Sequence, residues 1–291
     1  MMNRKMSLLL LIGVLAFVSA AAVVQAPTFT FKFRNLKLPI PGVKYAIPNG
    51  INNSGVIVGG YVDQSNVQHG FIVAGKNLTT VDYPGGNGTT CSGINLHGKV
   101  VGYYLDSQTN PHGFSYKAGI FTSIEPVGST ASEASGINDK GEVVGFYQDS
   151  AFNTHGFLLK GTHYKTLDVP NAHSTQAYGI NNGGNITLTW NDMNGQSKSA
   201  LYNGKNYKTL HVPGAAKTQV SGINNLGDIV LYWWRTQGNS HGALLHGGTY
   251  YNFNAPNSDG TYSYGINDHQ VIVGVYNPHG GAQAVDFRAT Y

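Results

Sequence analysis

Four histidines, His69, His112, His155 and His241, are the residues whose type and spacing first invite chemistry, because imidazole titrates near neutral pH and ligates metals. The first three stand 43 residues apart, and the fourth follows after two such steps. That spacing argues against one shared ion, since side chains at equivalent places in successive repeats are too far apart to meet at a tetrahedral centre. Each follows a short loop, and the loops before His69, His112 and His155 open with Asp63, Asp106 and Asp149. A hydrogen bond between Asp and His closing a hairpin is the reading this spacing favours. Arg235 takes the Asp place before His241.

A second set is complete in every repeat: Tyr61, Tyr104, Tyr147, Trp190, Trp233 and Tyr276. Six aromatic rings at one step suit sugar stacking, but their position inside a strand favours packing between neighbouring sheets. The loops such as Asp106–Asn110 offer one carboxylate each, too few for calcium. Pro84-Gly85-Gly86-Asn87-Gly88 lacks the strand-to-helix setting of a phosphate loop and reads as a connection.

A single active site needs residues that break the repeat. Lys44, Glu133, His173, Lys198, Lys217, Arg235 and Asp259 do so on one loop face, with Tyr178, Tyr262 and Tyr264 near the inner strands. Glu133 and His173 are the candidate acid and base of a glycan-cleaving reaction. The others, Lys44, Tyr178, Lys198, Lys217, Arg235, Asp259, Tyr262 and Tyr264, are candidate ligand contacts. No nucleophile elbow, zinc triplet or closely spaced carboxylate pair accompanies them. No cofactor and no metal site is expected.

The elements that position these residues follow from the repeat. Gly-Ile-Asn begins at Gly50, Gly93, Gly136, Gly179, Gly222 and Gly265, every step being 43 residues. Within the period at Gly136 four short segments alternate with Gly, Asn, Asp and Pro. They are Glu133 to Asn138, Glu142 to Asp149, His155 to Lys160 and His163 to Val169, strands A to D. Asn138-Asp139-Lys140-Gly141 suits a tight hairpin. Strand B is apolar on both faces, as in Ile229 to Trp234, so it is covered on both faces. Strand D alternates, as an outer edge does.

These features predict an all-β, six-bladed β-propeller with four antiparallel strands per blade. The last period stops at Tyr291 before a strand D. The segment Leu36 to Pro41 has the spacing to supply it and close the ring, with Thr28 to Phe33 extending that strand or packing over the rim. A closed ring needs no polar capping repeats, unlike an open solenoid.

The motif set, Gly-Ile-Asn, Ile57-Val58-Gly59 and His69-Gly70-Phe71, resembles the bacterial extracellular repeat of the HAF family. His112-Gly113-Phe114 and His155-Gly156-Phe157 match fully and His241-Gly242-Ala243 in part. Lys198-Ser199-Ala200 and the Gly281-Ala282-Gln283 region depart from it. The resemblance covers essentially the chain after the leader and implies export and a propeller-like fold. It brings no catalytic residues to carry over.

Residues 1–26 read as a signal peptide, with Arg4 and Lys5 before an apolar run too short for a comfortable membrane span. Residues 27–291 then form one domain, secreted to the periplasm or the outside. Loss of the leader lowers the formal net charge from +4 by the two charges of Arg4 and Lys5. No basic block remains to bind nucleic acid. Cys91 is the only cysteine, so stability comes from packing rather than an internal disulfide. The function expected is non-enzymatic binding of a glycan or an extracellular protein on the loop face. The alternatives are a polysaccharide lyase or glycoside hydrolase over the central channel, or a structural surface protein.

Overall fold

The computed structural model describes residues 29–236, 238–280 and 285–291. The expected signal peptide, residues 1–26, and residues 281–283 lie outside them. Every regular element among the described residues is a β-strand, and none of them forms a helix long and apolar enough to cross a membrane.

The period at Gly136 forms Ala131–Ile137, Val143–Gln148, Thr154–Lys160 and His163–Leu167. They are hydrogen-bonded in that order as an antiparallel sheet, close to the segments expected. Asn138 turns the first hairpin: Gly141 and Glu142 exchange backbone bonds with it, and its Oδ1 accepts from the amides of Lys140 and Glu142. The two following periods form equivalent four-stranded sheets. The first two periods repeat the pattern but share one sheet, through a parallel bridge between Gln68 and Gly88.

The core lies between neighbouring sheets. Val144 and Leu158 of one period pack with Ala177 and Ile186 of the next, while Ile57 and Phe71 of the first pack with Val271 and Val273 of the last. Phe71, Phe114, Phe157 and Phe287 are fully buried, each contributing about 1.5–3 kcal/mol by leaving water. Strand D is wet, as expected: in His163–Leu167 only Leu167 is buried.

The last sheet departs from expectation in detail. Its outer strand is Lys32–Asn35, antiparallel to Val285–Thr290, rather than Leu36 to Pro41. Only Leu36 keeps a sheet bond, donating its N–H to Asp286 O at 3.0 Å. The aromatic run explains the shift. Phe31 and Phe33 meet Phe253 at 4.6 and 6.0 Å, and Phe33 meets Phe287 at 5.3 Å. Phe29 meets Tyr251 and Tyr291. Leu36, Leu38 and Ile40 instead turn into the core beside the first and last periods.

Gly-Ile-Asn sits where the inner strands crowd together. A Cβ on Gly50 would lie 3.3 Å from Gly93 Cα, and one on Gly265 3.0 Å from Gly50 Cα, so side chains are excluded there. One step on, Asn side chains stitch each repeat to the next. Asn52 donates to Asn95 O at 3.0 Å, Asn95 to Asn138 O at 3.2 Å and Asn138 to Asn181 O at 3.1 Å. Asn181 and Asn224 continue the series.

Candidate functional site

On the opposite face, the B-to-C loops are built by their opening Asp. Asp63, Asp106 and Asp149 each accept two amides of their own loop, such as Ser65 and Val67 at 2.8 Å. These bonds fold the loop around its one carboxylate.

The Asp–His contact is present but is the weaker of two. His69 Nε2 lies 3.5 Å from Asp63, and the corresponding distances for His112 and His155 are 3.4 Å. Nδ1 reaches a closer carboxylate at the end of strand D: Asp82 at 2.9 Å, Glu125 at 2.9 Å and Asp168 at 2.8 Å. Each imidazole is therefore clamped between two carboxylates. Burial pushes the His155 pKa down, but hydrogen bonds and charge from Asp168 and Asp149 outweigh it and the net shift is upward. Burial pushes Asp106 up, yet the amide and side chain of Asn110 and the neighbouring donors bring it down to about 2. Asp149 is likewise held at about 2, chiefly by Asn153.

The strand B aromatics stand beside these clamps. Tyr61 and Trp233 are buried and their four counterparts half-buried, in keeping with packing between sheets. Tyr61 stacks on His69 with centroids 4.9 Å apart, and Trp233 lies 4.5 Å from His241. Lys198 replaces the histidine in one repeat, bonding Asp192 at 2.8 Å and lying over Trp190.

Between the sheets this face carries clefts that recur with the repeat. One, of about 230 Å³, is lined by Glu133, Phe146, Tyr147, Gln148, Thr154 and Gln176. A second, of about 270 Å³, is lined by the residues one step on: Gln176, Thr189, Trp190, Asn191, Ser197 and Gln219. Phe152 stands at the loop tip beside the first cleft, 78% exposed and at φ 64°. Gly195 and Gly238 take that place in the next two repeats.

On the axis lies a larger cavity of about 300 Å³, bounded by the Gly-Ile rows and lined by Thr90, Tyr103, Glu133, Tyr178, Gln219, Tyr232 and Tyr264. Burial raises the Glu133 carboxyl to about 7.

Of the residues singled out from sequence, Glu133, Tyr178 and Tyr264 meet at this cavity. Tyr262 stands behind it, 5.4 Å from Tyr232. Lys217 lines the second cleft and lies over Trp234. Lys44 bonds Asn66, Asp259 bonds His279, and Arg235 and His173 are exposed. The acid–base pair is not brought together, for His173 stands on the loop before Ser174–Ile180 and does not line the cavity that holds Glu133. Tyr103 and Tyr232 went unnoticed in the sequence, although Gly60, Thr189 and Val275 at their counterparts mark them as departures from the repeat.

No protein-family model matches the chain, and no curated protein matches it in sequence. Solved structures do. SapL1, a lectin solved with α-methyl fucoside, is 10% identical over 85% of this chain and 94% of its own, with a TM-score of 0.55. The β-propeller domain of the Trilobed protease from Pyrococcus furiosus, described as having an open velcro topology, is 10% identical over 86% and 82%, TM-score 0.54. The six-bladed β-propeller lectin of Aleuria aurantia is 11% identical over 86% and 92%, TM-score 0.50. The fold is a β-propeller. Its blades are the four-stranded antiparallel sheets, the clefts lie between blades, and the cavity occupies the central channel.

Proposed function

We propose that the chain is an exported, six-bladed propeller, closed as a ring, that binds glycans in the clefts between blades on its loop face. Closure is supported by the pairing of Lys32–Asn35 with Val285–Thr290 and by the Asn267 to Asn52 bond. Export is supported by the leader-like first 26 residues and the HAF-type motifs.

The observation that carries the glycan reading is the recurrence of one cleft at a 43-residue step. Each copy sets the half-buried ring of Tyr147 or Trp190, one side of which already meets His155 or Lys198, beside amides and hydroxyls, and so offers a sugar an aromatic edge and donors for its hydroxyls. Equal sites on one rigid ring favour multivalent contact. Two of the similar structures are lectins, one solved with a fucoside and one described by its fucose recognition, so fucosylated glycans are the first class to try. Phe152 fits the same use as an exposed aromatic at a loop tip, its positive φ being that of the turn, shared with Asn66 and Thr109. For the enzymatic alternative, His173 does not line the cavity that holds Glu133.

A glycan array followed by titration of the best ligand tests this reading. Phe152→Gly and Trp190→Ala should each weaken binding at their own cleft by on the order of tenfold, about 1.4 kcal/mol, with thermal melting run alongside because Trp190 also packs against the core. Absence of any ligand at accessible concentrations sinks it.

A further inference from the structure

The channel cavity has a chemistry unlike the clefts. Tyr103, Tyr178, Tyr232 and Tyr264 line it from four different blades. Burial raises all four phenols, Tyr264 to about 12, so the rings stay neutral. Among the described residues lining it there is no lysine, arginine or histidine, and Glu133 is the one carboxylate. Burial alone accounts for the shift of Glu133; no hydrogen bond from a described side chain or amide holds its carboxylate.

An ionised carboxylate among aromatic rings lacks a counter-charge. The rings supply negative faces that attract cations, most strongly in a desolvated site. A hard metal ion needs six or more oxygen ligands, which one carboxylate does not approach. A neutral sugar would leave the charge unanswered. A cation with an apolar shell answers both features, and about 300 Å³ accommodates a small one.

We propose that the channel cavity, which shares Glu133 with the first cleft, is a binding site for a compact organic ammonium cation of the trimethylammonium class, held by the tyrosine rings and the Glu133 carboxylate. This goes beyond the glycan reading and does not depend on it.

Calorimetric titration of the whole protein with choline, and in parallel with the neutral analogue in which carbon replaces the quaternary nitrogen, tests it. Choline should bind at least on the order of tenfold tighter than the neutral analogue. Its affinity should fall between about pH 8.5 and about pH 5 as Glu133 takes up a proton, the surrounding phenols staying neutral throughout. Glu133→Gln, close in shape, should weaken choline by on the order of tenfold and remove that pH dependence. Tyr232→Phe, which keeps the ring, should retain affinity. No choline binding, equal binding of the neutral analogue, or unchanged affinity in Glu133→Gln would each overturn the proposal.

Discussion

Asn267 donates its side-chain amide to the backbone carbonyl of Asn52 at 3.0 Å, across 215 positions of sequence. The bond is the same one that Asn52, Asn95, Asn138, Asn181 and Asn224 each make to the next repeat. A second tie lies beside it, where the Asp268 amide donates to Asn53 Oδ1 at 2.8 Å. These two bonds tie the last repeat to the first.

Substituting Asn138 by Ala tests what this stitch is worth. Asn138 is 3% exposed; its loss removes the bond to the Asn181 carbonyl, which keeps the Gly184 amide, and leaves the Lys140 and Glu142 turn amides without their side-chain partner. The expected cost is about 2–3 kcal/mol, read as a lower urea midpoint with an unchanged slope. Leu226→Ala, at an exposed turn position on the same face, should cost less than about 0.5 kcal/mol.

Removing the residues before Leu36 takes away the outer strand of the last sheet and uncovers Phe253 and Phe287, which Phe31 and Phe33 now cover. The truncated protein should melt at lower temperature and over a broader range. A transition as sharp and as high as that of the parent would contradict the proposal that this strand closes a ring.

The histidine clamps predict a titration. His155 has a raised pKa, so the folded state favours its protonated form. That contribution is complete below the unfolded value of about 6.5 and is lost as pH rises through the folded pKa. In Asp168→Asn the His155 resonances should titrate at lower pH than in the parent, since the nearer carboxylate charge is gone. No change would assign the shift elsewhere.

Asp286 predicts the opposite dependence from that of a paired acid. Burial raises it to about 7, and its Oδ1 is buried without a partner. Because the folded pKa lies above the unfolded one, the stability this group permits is present below the unfolded pKa, about 3.9, and is lost as pH rises through about 7. Asp286→Asn should equal the parent near pH 4 and exceed it at pH 8 by about 2–4 kcal/mol.

The repeat was legible because Gly-Ile-Asn answers to local demands that recur in every blade: no room at Gly and one bond pattern at Asn. The outer N-terminal strand was displaced because spacing from Pro41 counts residues, whereas Phe31 and Phe33 choose register by burial. The nearer partner of each clamped histidine escaped notice because it requires the C-to-D register. With Gly70 opposite Val81, His69 falls beside Asp82. An acid thirteen residues after His69, His112 and His155 was there to be seen. Glu133 and His173 were paired from neighbouring blades by position, but one faces the axis and the other a loop edge, which a linear repeat does not distinguish.

The central claim is that equivalent clefts between blades bind glycan, and counting sites tests it most directly. Native mass spectrometry of the intact chain, titrated with the best ligand from the array, should show two or more glycans bound per chain with similar affinities. A Trp190→Ala protein should bind one fewer. Saturation at a single glycan, or a Trp190→Ala protein that binds as many as the parent, would contradict the account.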